Sequence, residues 1–291
     1  MQKIYILIAI LLVFQGRVNA QSYNAQRNQV FLVNVLSNAF IGGIGGAINK
    51  GKDEKISRAF IRNFLKGSAG GVIKYTAKYN TFYLNNTYTP YAFPLNRLCY
   101  FLGHSIVMNS AFNHKALETY YCNFDGIDIR ISLKEEQKIK ARLSLATLGC
   151  AVYFATQGFQ FDMYRSLEYG QLLFLAKPGA MGVYDGQTLF NCIVINSYGT
   201  NPNFSILPHE IVHVYQTYDL FGISAFYDPK IRKFYKDKKI YKLLNKYVVA
   251  DYEALFMTPL YLAQFHPMPN YYKNYYEFEA EHFRSRQYIK R

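Results

Sequence analysis

The pentapeptide His209-Glu210-Ile211-Val212-His213 constrains this chain more than any other stretch. Two imidazoles four positions apart can serve one metal ion from one face of a helix, so the segment is expected to be helical. Glu210 then falls beside that ion, where a carboxylate can take a proton from a metal-bound water. Ile211, Val212 and Val214 are apolar, as a buried helix requires, and Pro208 stands where a helix can begin. The plainer alternative is a pair of histidines on a core helix with a solvated glutamate between them.

The first twenty residues have the form of a cleavable export leader. Lys3 is the positive start, Ile4 to Phe14 an 11-residue apolar run, and Val18-Asn19-Ala20 a small-residue cleavage site before Gln21. Eleven residues are too short to span a bilayer, which takes about 20. The chain carries a formal charge of +14, and losing Lys3 and Arg17 with the leader would leave +12. Such a surplus favours anionic partners. Abundant Lys, Asn, Tyr, Phe and Ile with no Trp is also what AT-rich coding produces, so charge does not imply specific nucleic-acid binding. Cys99, Cys122, Cys150 and Cys192 are an even set in an exported chain, which permits three full pairings. None has Cys-x-x-Cys spacing, which argues against a zinc–thiolate site, and buried free thiols are as compatible with the apolar runs around them.

Along the chain, residues 31–48 and the stretch from Ile56 to Lys78 read as two helices separated by the charged NKGKDEK. Gly42 and Gly46 in the first, with Gly67 and Gly71 in the second, would let the two approach closely, in a soluble core or at a membrane. Charges in the second favour the soluble or interfacial form. TYTPYAFP (87–94) reads as a loop, and Leu95 to Phe112 as a helix whose His104 suits the core better than a metal. TYYCNF and IDIRIS flank Asp125-Gly126, a hairpin signal. ARLSL with CAVYFAT, then QLLFLAK and TLFNCIVIN, add apolar runs of strand length just before the HEIVH helix. An edge strand there can hold an extended peptide across the metal. Beyond the motif, eight basic residues lie between Lys230 and Lys246 with only Asp237 against them, a solvated helix face or an anion-binding rim. Val248 to Gln264 reads as helix, and Asn270 is placed to cap a last helix from Tyr271 to about Ile289.

Catalytic zinc takes three protein ligands and leaves one position for water. The last helix offers YYEFEAEHF, in which Glu277 and Glu281 share a face and Glu279 points elsewhere. Glu277 is the favoured third ligand, with Glu281 behind a ligand histidine to accept its free N–H. Asp219, ten residues after His209, matches the spacing of a different ligand pattern, but Gln216 occupies the glycine position at which that pattern turns. Glu253 is a further option. With 28 tyrosines, and His266 and His282 nearby in sequence, the donor for a developing oxyanion stays open.

His209-Glu210-x-x-His213 followed much later by Glu277-Phe278-Glu279-Ala280-Glu281 resembles the gluzincin pattern, HExxH plus a downstream E-x-x-A-D helix, seen in the prenyl-protein membrane zincins. Glu281 stands where that pattern has Asp, and clear transmembrane helices are lacking after the leader. HEIVHVYQ and the paired glycine-rich segments are also similar to uncharacterised exported bacterial metallopeptidase-like proteins. The resemblance covers about 30 residues. It implies an exported zinc peptidase in which His209, His213 and Glu277 hold zinc and Glu210 is the general base on a water whose pKa falls toward ~7. Peptide or protein would be the substrate, with anionic surface contact through 230–246 and membrane association as further expectations. The rival expectation is an envelope-associated binding or structural protein with a degenerate site. The whole reads as α+β: residues 1–20 a signal peptide, 21–115 a glycine-rich helical region, and 116–291 a zincin-like domain with a mixed or antiparallel sheet and C-terminal helices bearing HExxH.

Overall fold

A computed structural model describes residues 22–86, 92–134, 138–182, 184–198, 201–202, 204–227, 238–249, 261, 271–285 and 289. The leader, residues 87–91 of the expected loop, most of the basic run before Lys238, Glu253, His266 and Asn270 lie outside them.

The fold is α+β, with eight α-helices and two small sheets among the described residues. It opens on three helices, α1 (Tyr23–Ile48), α2 (Ile56–Asn86) and α3 (Ala92–Ala111). Ser22 caps α1 through its side chain, which accepts from Ala25 N. Small residues bring these helices nearly backbone to backbone. A Cβ on Gly67 would lie 2.4 Å from Asn38 O, and one on Gly42 would lie 2.6 Å from Asn63 O. α3 joins in the same way, because a Cβ on Gly70 would meet Gly103 O at 2.6 Å. By length and composition α1 is apolar enough to cross a membrane, yet 44% of its apolar window is buried inside the protein.

The first sheet has the order β1 (Thr119–Phe124), β2 (Ile127–Ser132), β3 (Ile139–Ser144) and β9 (Val248–Val249), antiparallel except for the parallel β3–β9 pair. Asp125 and Gly126, with φ of 48° and 85°, make the expected hairpin turn. The second sheet has the order β4 (Gln160–Phe161), β5 (Leu172–Ala176), β7 (Cys192–Tyr198) and β6 (Gly186–Leu189), with β5 and β7 parallel and β8 (Asn201–Pro202) hanging on β7. Both sheets are mixed.

Four expectations are corrected. CAVYFAT belongs to α4 (Leu145–Thr156), because the Ser144 hydroxyl accepts from Thr147 N and starts a helix where the apolar run alone suggested a strand. Residues 92–94 are the first turn of α3 rather than loop, since Pro94 needs no N–H partner there. Val248 and Val249 form a strand, as β-branched residues beside β3 do readily. The last helix, α8 (Tyr275–Ser285), starts later than expected, after a 3-10 turn at Tyr271–Lys273, because Asn274 offers the side-chain oxygen that accepts from Tyr276 N. Between these elements lie α5 (Met163–Tyr169), α6 (Leu207–Asp219) and α7 (Lys239–Tyr247).

The hydrophobic clusters draw on both sides of residue 115. Phe93, Tyr100 and Phe101 pack with Leu173, Ile193, Ile211 and Val214, and Val30 packs with Val212, Phe278 and Phe283. Tyr100 stacks on Tyr215 at 4.2 Å between centroids. Near the two ends of the chain, Gln26 clasps Ile289: its amide donates to Ile289 O at 2.6 Å and accepts from Ile289 N at 3.0 Å. All four cysteines are free thiols. Burial pushes Cys122 and Cys150 up to about 11, so they behave as protonated core groups.

Candidate metal centre

Helix α6 carries HEIVH as the spacing requires. Pro208 sits in its first turn, and Ile211, Val212, Val214 and Tyr215 are buried in the clusters on either side. Helix α8 packs against it and is itself buried from Tyr275 to Phe283. This pairing brings His209, His213 and Glu277 together, the three potential ligands that the described residues gather within 4.8 Å of one another.

The reactive atoms form a triangle. His209 Nε2 lies 3.0 Å from His213 Nε2 and 3.1 Å from Glu277 Oε2, and His213 Nε2 lies 3.3 Å from the same oxygen. Ligands of a tetrahedral zinc at bond lengths of 2.0–2.1 Å stand about 3.3 Å apart. The donor set therefore fits such an ion. Two imidazole nitrogens facing each other at 3.0 Å are otherwise served by only one kind of occupant, a shared proton.

Partners behind the ring nitrogens set the tautomers. His213 Nδ1 faces Gln216 Oε1 at 2.7 Å; an amide oxygen accepts, so Nδ1 holds the proton and Nε2 is free for the triangle. His209 Nδ1 stands 3.5 Å from Glu281 Oε2, an ion-pair separation that is long for a hydrogen bond. The second oxygen of Glu277, Oε1, accepts from the Tyr261 hydroxyl.

Burial opposes charge on His209, but the hydrogen bond to Glu277 and the nearby carboxylates of Glu281 and Glu210 outweigh it and raise its pKa to about 10. His213 is likewise raised against its burial by Glu277. Glu277 is held well below the usual carboxylate range by the two histidines, despite its own burial. A divalent cation bound here would have to displace a proton from the same atoms.

Glu210 is buried but not part of the triangle. Its Oε2 accepts from the Thr188 hydroxyl at 2.7 Å, on the edge strand β6. Gly186, two residues earlier on that strand, lies so close that an added Cβ would be 2.6 Å from Glu210 Oε1. Strand and carboxylate are thereby fixed together.

The other candidates lie elsewhere. Asp219 is held by Lys74 at 2.8 Å, Lys78 at 2.6 Å and the Tyr100 hydroxyl at 2.8 Å, outside the triangle. α6 runs straight through Gln216 instead of turning, and this carries Asp219 past the triangle. Burial raises the Asp219 pKa, but the two lysines outweigh it and bring the value to about 2. His104 is a core residue edge-on to Phe101 and Tyr218, and burial lowers its pKa to about 3. His282 stacks on Tyr23 at 5.2 Å, among the aromatics of α8. In the described part of the basic run, Lys238, Lys239 and Lys246 are exposed.

The contacts of five residues around the centre escaped the sequence reading: Gln216, Glu279, Thr188, Gly186 and Tyr261. Gln216 alone had a local signal, since it lies three positions after His213 on one helix. Glu279 does point away from the triangle, but it is no bystander. Its Oε2 accepts from Gln216 Nε2 at 2.7 Å.

Compared with family models, curated proteins and solved structures, the chain matches none.

Proposed function

We propose that this chain is an exported zinc-dependent peptidase, related in its metal-binding pattern to the gluzincins. The observation that carries the reading is the Nε2–Nε2–Oε2 triangle of His209, His213 and Glu277, with edges of 3.0, 3.1 and 3.3 Å and Glu210 alongside. Zinc held there would act as a Lewis acid and acidify water. Glu210, oriented by Thr188, takes the proton of the attacking water and returns it to the leaving amine. The outer edge of β6, which pairs only with β7 among the described residues, is suited to an extended substrate backbone. The rival reading, a binding protein stabilised by a structural metal, predicts four converging protein donors. Three converge among the described residues, and Glu210, which ligation does not need, is retained. Export rests on the leader-like first twenty residues.

The test is zinc content and hydrolysis of a mixed peptide library by the purified chain and its Glu210→Gln variant. Zinc near one per chain in both, with hydrolysis down about 10²–10⁴-fold in the variant, is expected. Zinc lost from Glu210→Gln would mean that ligand and base are wrongly separated. No zinc in the unaltered chain would end the peptidase reading.

A further inference from the structure

We propose that Gln216, Glu279 and Lys78 are positioning residues for His213, which makes the N-terminal glycine-rich hairpin part of the metal centre. The proposal rests on the metal reading above for its purpose, though not for its geometry.

The relay runs from His213 Nδ1–H to Gln216 Oε1 at 2.7 Å, and from Gln216 Nε2 to Glu279 Oε2 at 2.7 Å and Tyr276 O at 2.9 Å. Glu279 Oε1 then accepts from Lys78 Nζ at 3.0 Å and Asn34 Nδ2 at 2.5 Å. Lys78 completes its three donations with Asn34 Oδ1 at 3.0 Å and Asp219 Oδ2 at 2.6 Å. Gln216, Glu279 and Lys78 are at most 2% exposed, so water does not substitute for any of them.

Every bond in this chain has one permitted direction. A flipped Gln216 amide would aim its NH₂ at His213 Nδ1 and its oxygen at a carboxylate and a carbonyl. An ammonium and a carboxylate, neither able to reverse its role while charged, therefore fix the amide, and the amide fixes the imidazole tautomer. Apolar side chains would stabilise the same packing at lower desolvation cost, so stability alone does not call for this arrangement.

The glycine contacts hold the far end in place. Gly67, Gly71, Lys74 and Lys78 recur at helical spacing on the face of α2 turned to α1. There a Cβ on Gly71 would lie 3.0 Å from Asn34 O, and Lys74 donates to Asn38 Oδ1 at 2.9 Å. The stripe that lets the two helices touch also delivers the lysines to the metal-bearing helices.

The test has two arms on the full chain. In the first, zinc affinity is measured by chelator competition for Gln216→Glu and for the double variant Gln216→Glu/Glu279→Gln, with folding monitored by circular dichroism. The single variant sets two carboxylates against each other and should lose about 10–100-fold in affinity. The double variant restores a donor opposite an acceptor and should regain most of that loss. Unchanged affinity in the single variant, or no recovery in the double, would overturn the relay. In the second arm, ¹⁵N-histidine labelling reads His213 directly. An exchange-protected Nδ1–H should be present in the unaltered chain and lose its protection in Gln216→Leu; an unprotonated Nδ1 in the unaltered chain would refute the proposal. If that proton behaves as expected while the chain binds no zinc, the metal reading fails and the relay stands.

Discussion

Helices α6 and α8 each contribute to two buried clusters of ionisable groups, and the clusters are built on opposite plans. Around Asp219 and Glu279, two lysines meet two carboxylates, and Asn34, Asn38, Tyr100 and Gln216 occupy the remaining donors and acceptors. Around His209 and His213, Glu210, Glu277 and Glu281 converge; among the described residues no lysine forms an ion pair there, and Arg284 reaches Glu281 from the rim at 3.5 Å. The first cluster balances its own charge. Among the described residues the second has more carboxylates than permanent cations, together with a triangle of lone pairs sized for a small divalent ion. Buried charge is thus structural where its partners are complete, and points to a ligand where they are not.

Breaking each cluster separately sharpens this contrast. Glu277→Ala should cost nearly all of the zinc affinity, measured by chelator competition, whereas Asp219→Ala should retain zinc. Full occupancy in the first with loss in the second would reverse the assignment. Lys78→Met should destabilise the protein by roughly 3–5 kcal/mol in urea unfolding, because it takes the paired ammonium from buried Glu279 and leaves Asp219 with Lys74 alone of its two lysines. A change within 1 kcal/mol of zero would show that the closed cluster is not closed. Glu281→Ala should weaken zinc by about 10–100-fold, as loss of a partner behind a ligand typically does. The smallest effect concerns acid. With its pKa lowered from 3.8 to about 2, Asp219 contributes stability that is full above about pH 4 and lost as the pH falls through about 2. Asp219→Asn should flatten that part of the urea-midpoint profile, and an unaltered acid limb would show that the lysines do not depend on its charge.

What could be read in advance was local. HEIVH named its helix, Asp125-Gly126 its turn, and Glu277 and Glu281 their shared face, because i,i+4 spacing and turn chemistry act over a few residues. The glycines of α1 and α2 foretold a close approach, but not that Asn34, Lys74 and Lys78 on the same stripe would end beside Asp219 of α6 and Glu279 of α8. Those pairings join positions as far apart as residues 34 and 279, and no periodicity encodes them. Gln216 was read only as a missing glycine, a judgement about backbone, when its importance lies in its amide. CAVYFAT shows the converse limit, since a short apolar run fits strand and helix alike until its cap is known.

The clasp between Gln26 and Ile289 gives the molecule a temporal property. Ile289, made long after α1, helps to hold that helix in place, and the triangle includes Glu277, twelve positions before Ile289. Folding that depends on such distant contacts is slow to complete. A nascent chain carrying HEIVH but not yet α8 would have the two histidines of the triangle without Glu277, and Lys78 would lack Glu279. The triangle and the hydrogen-bond relay behind it therefore close together, only once α8 has been made and packed against α6.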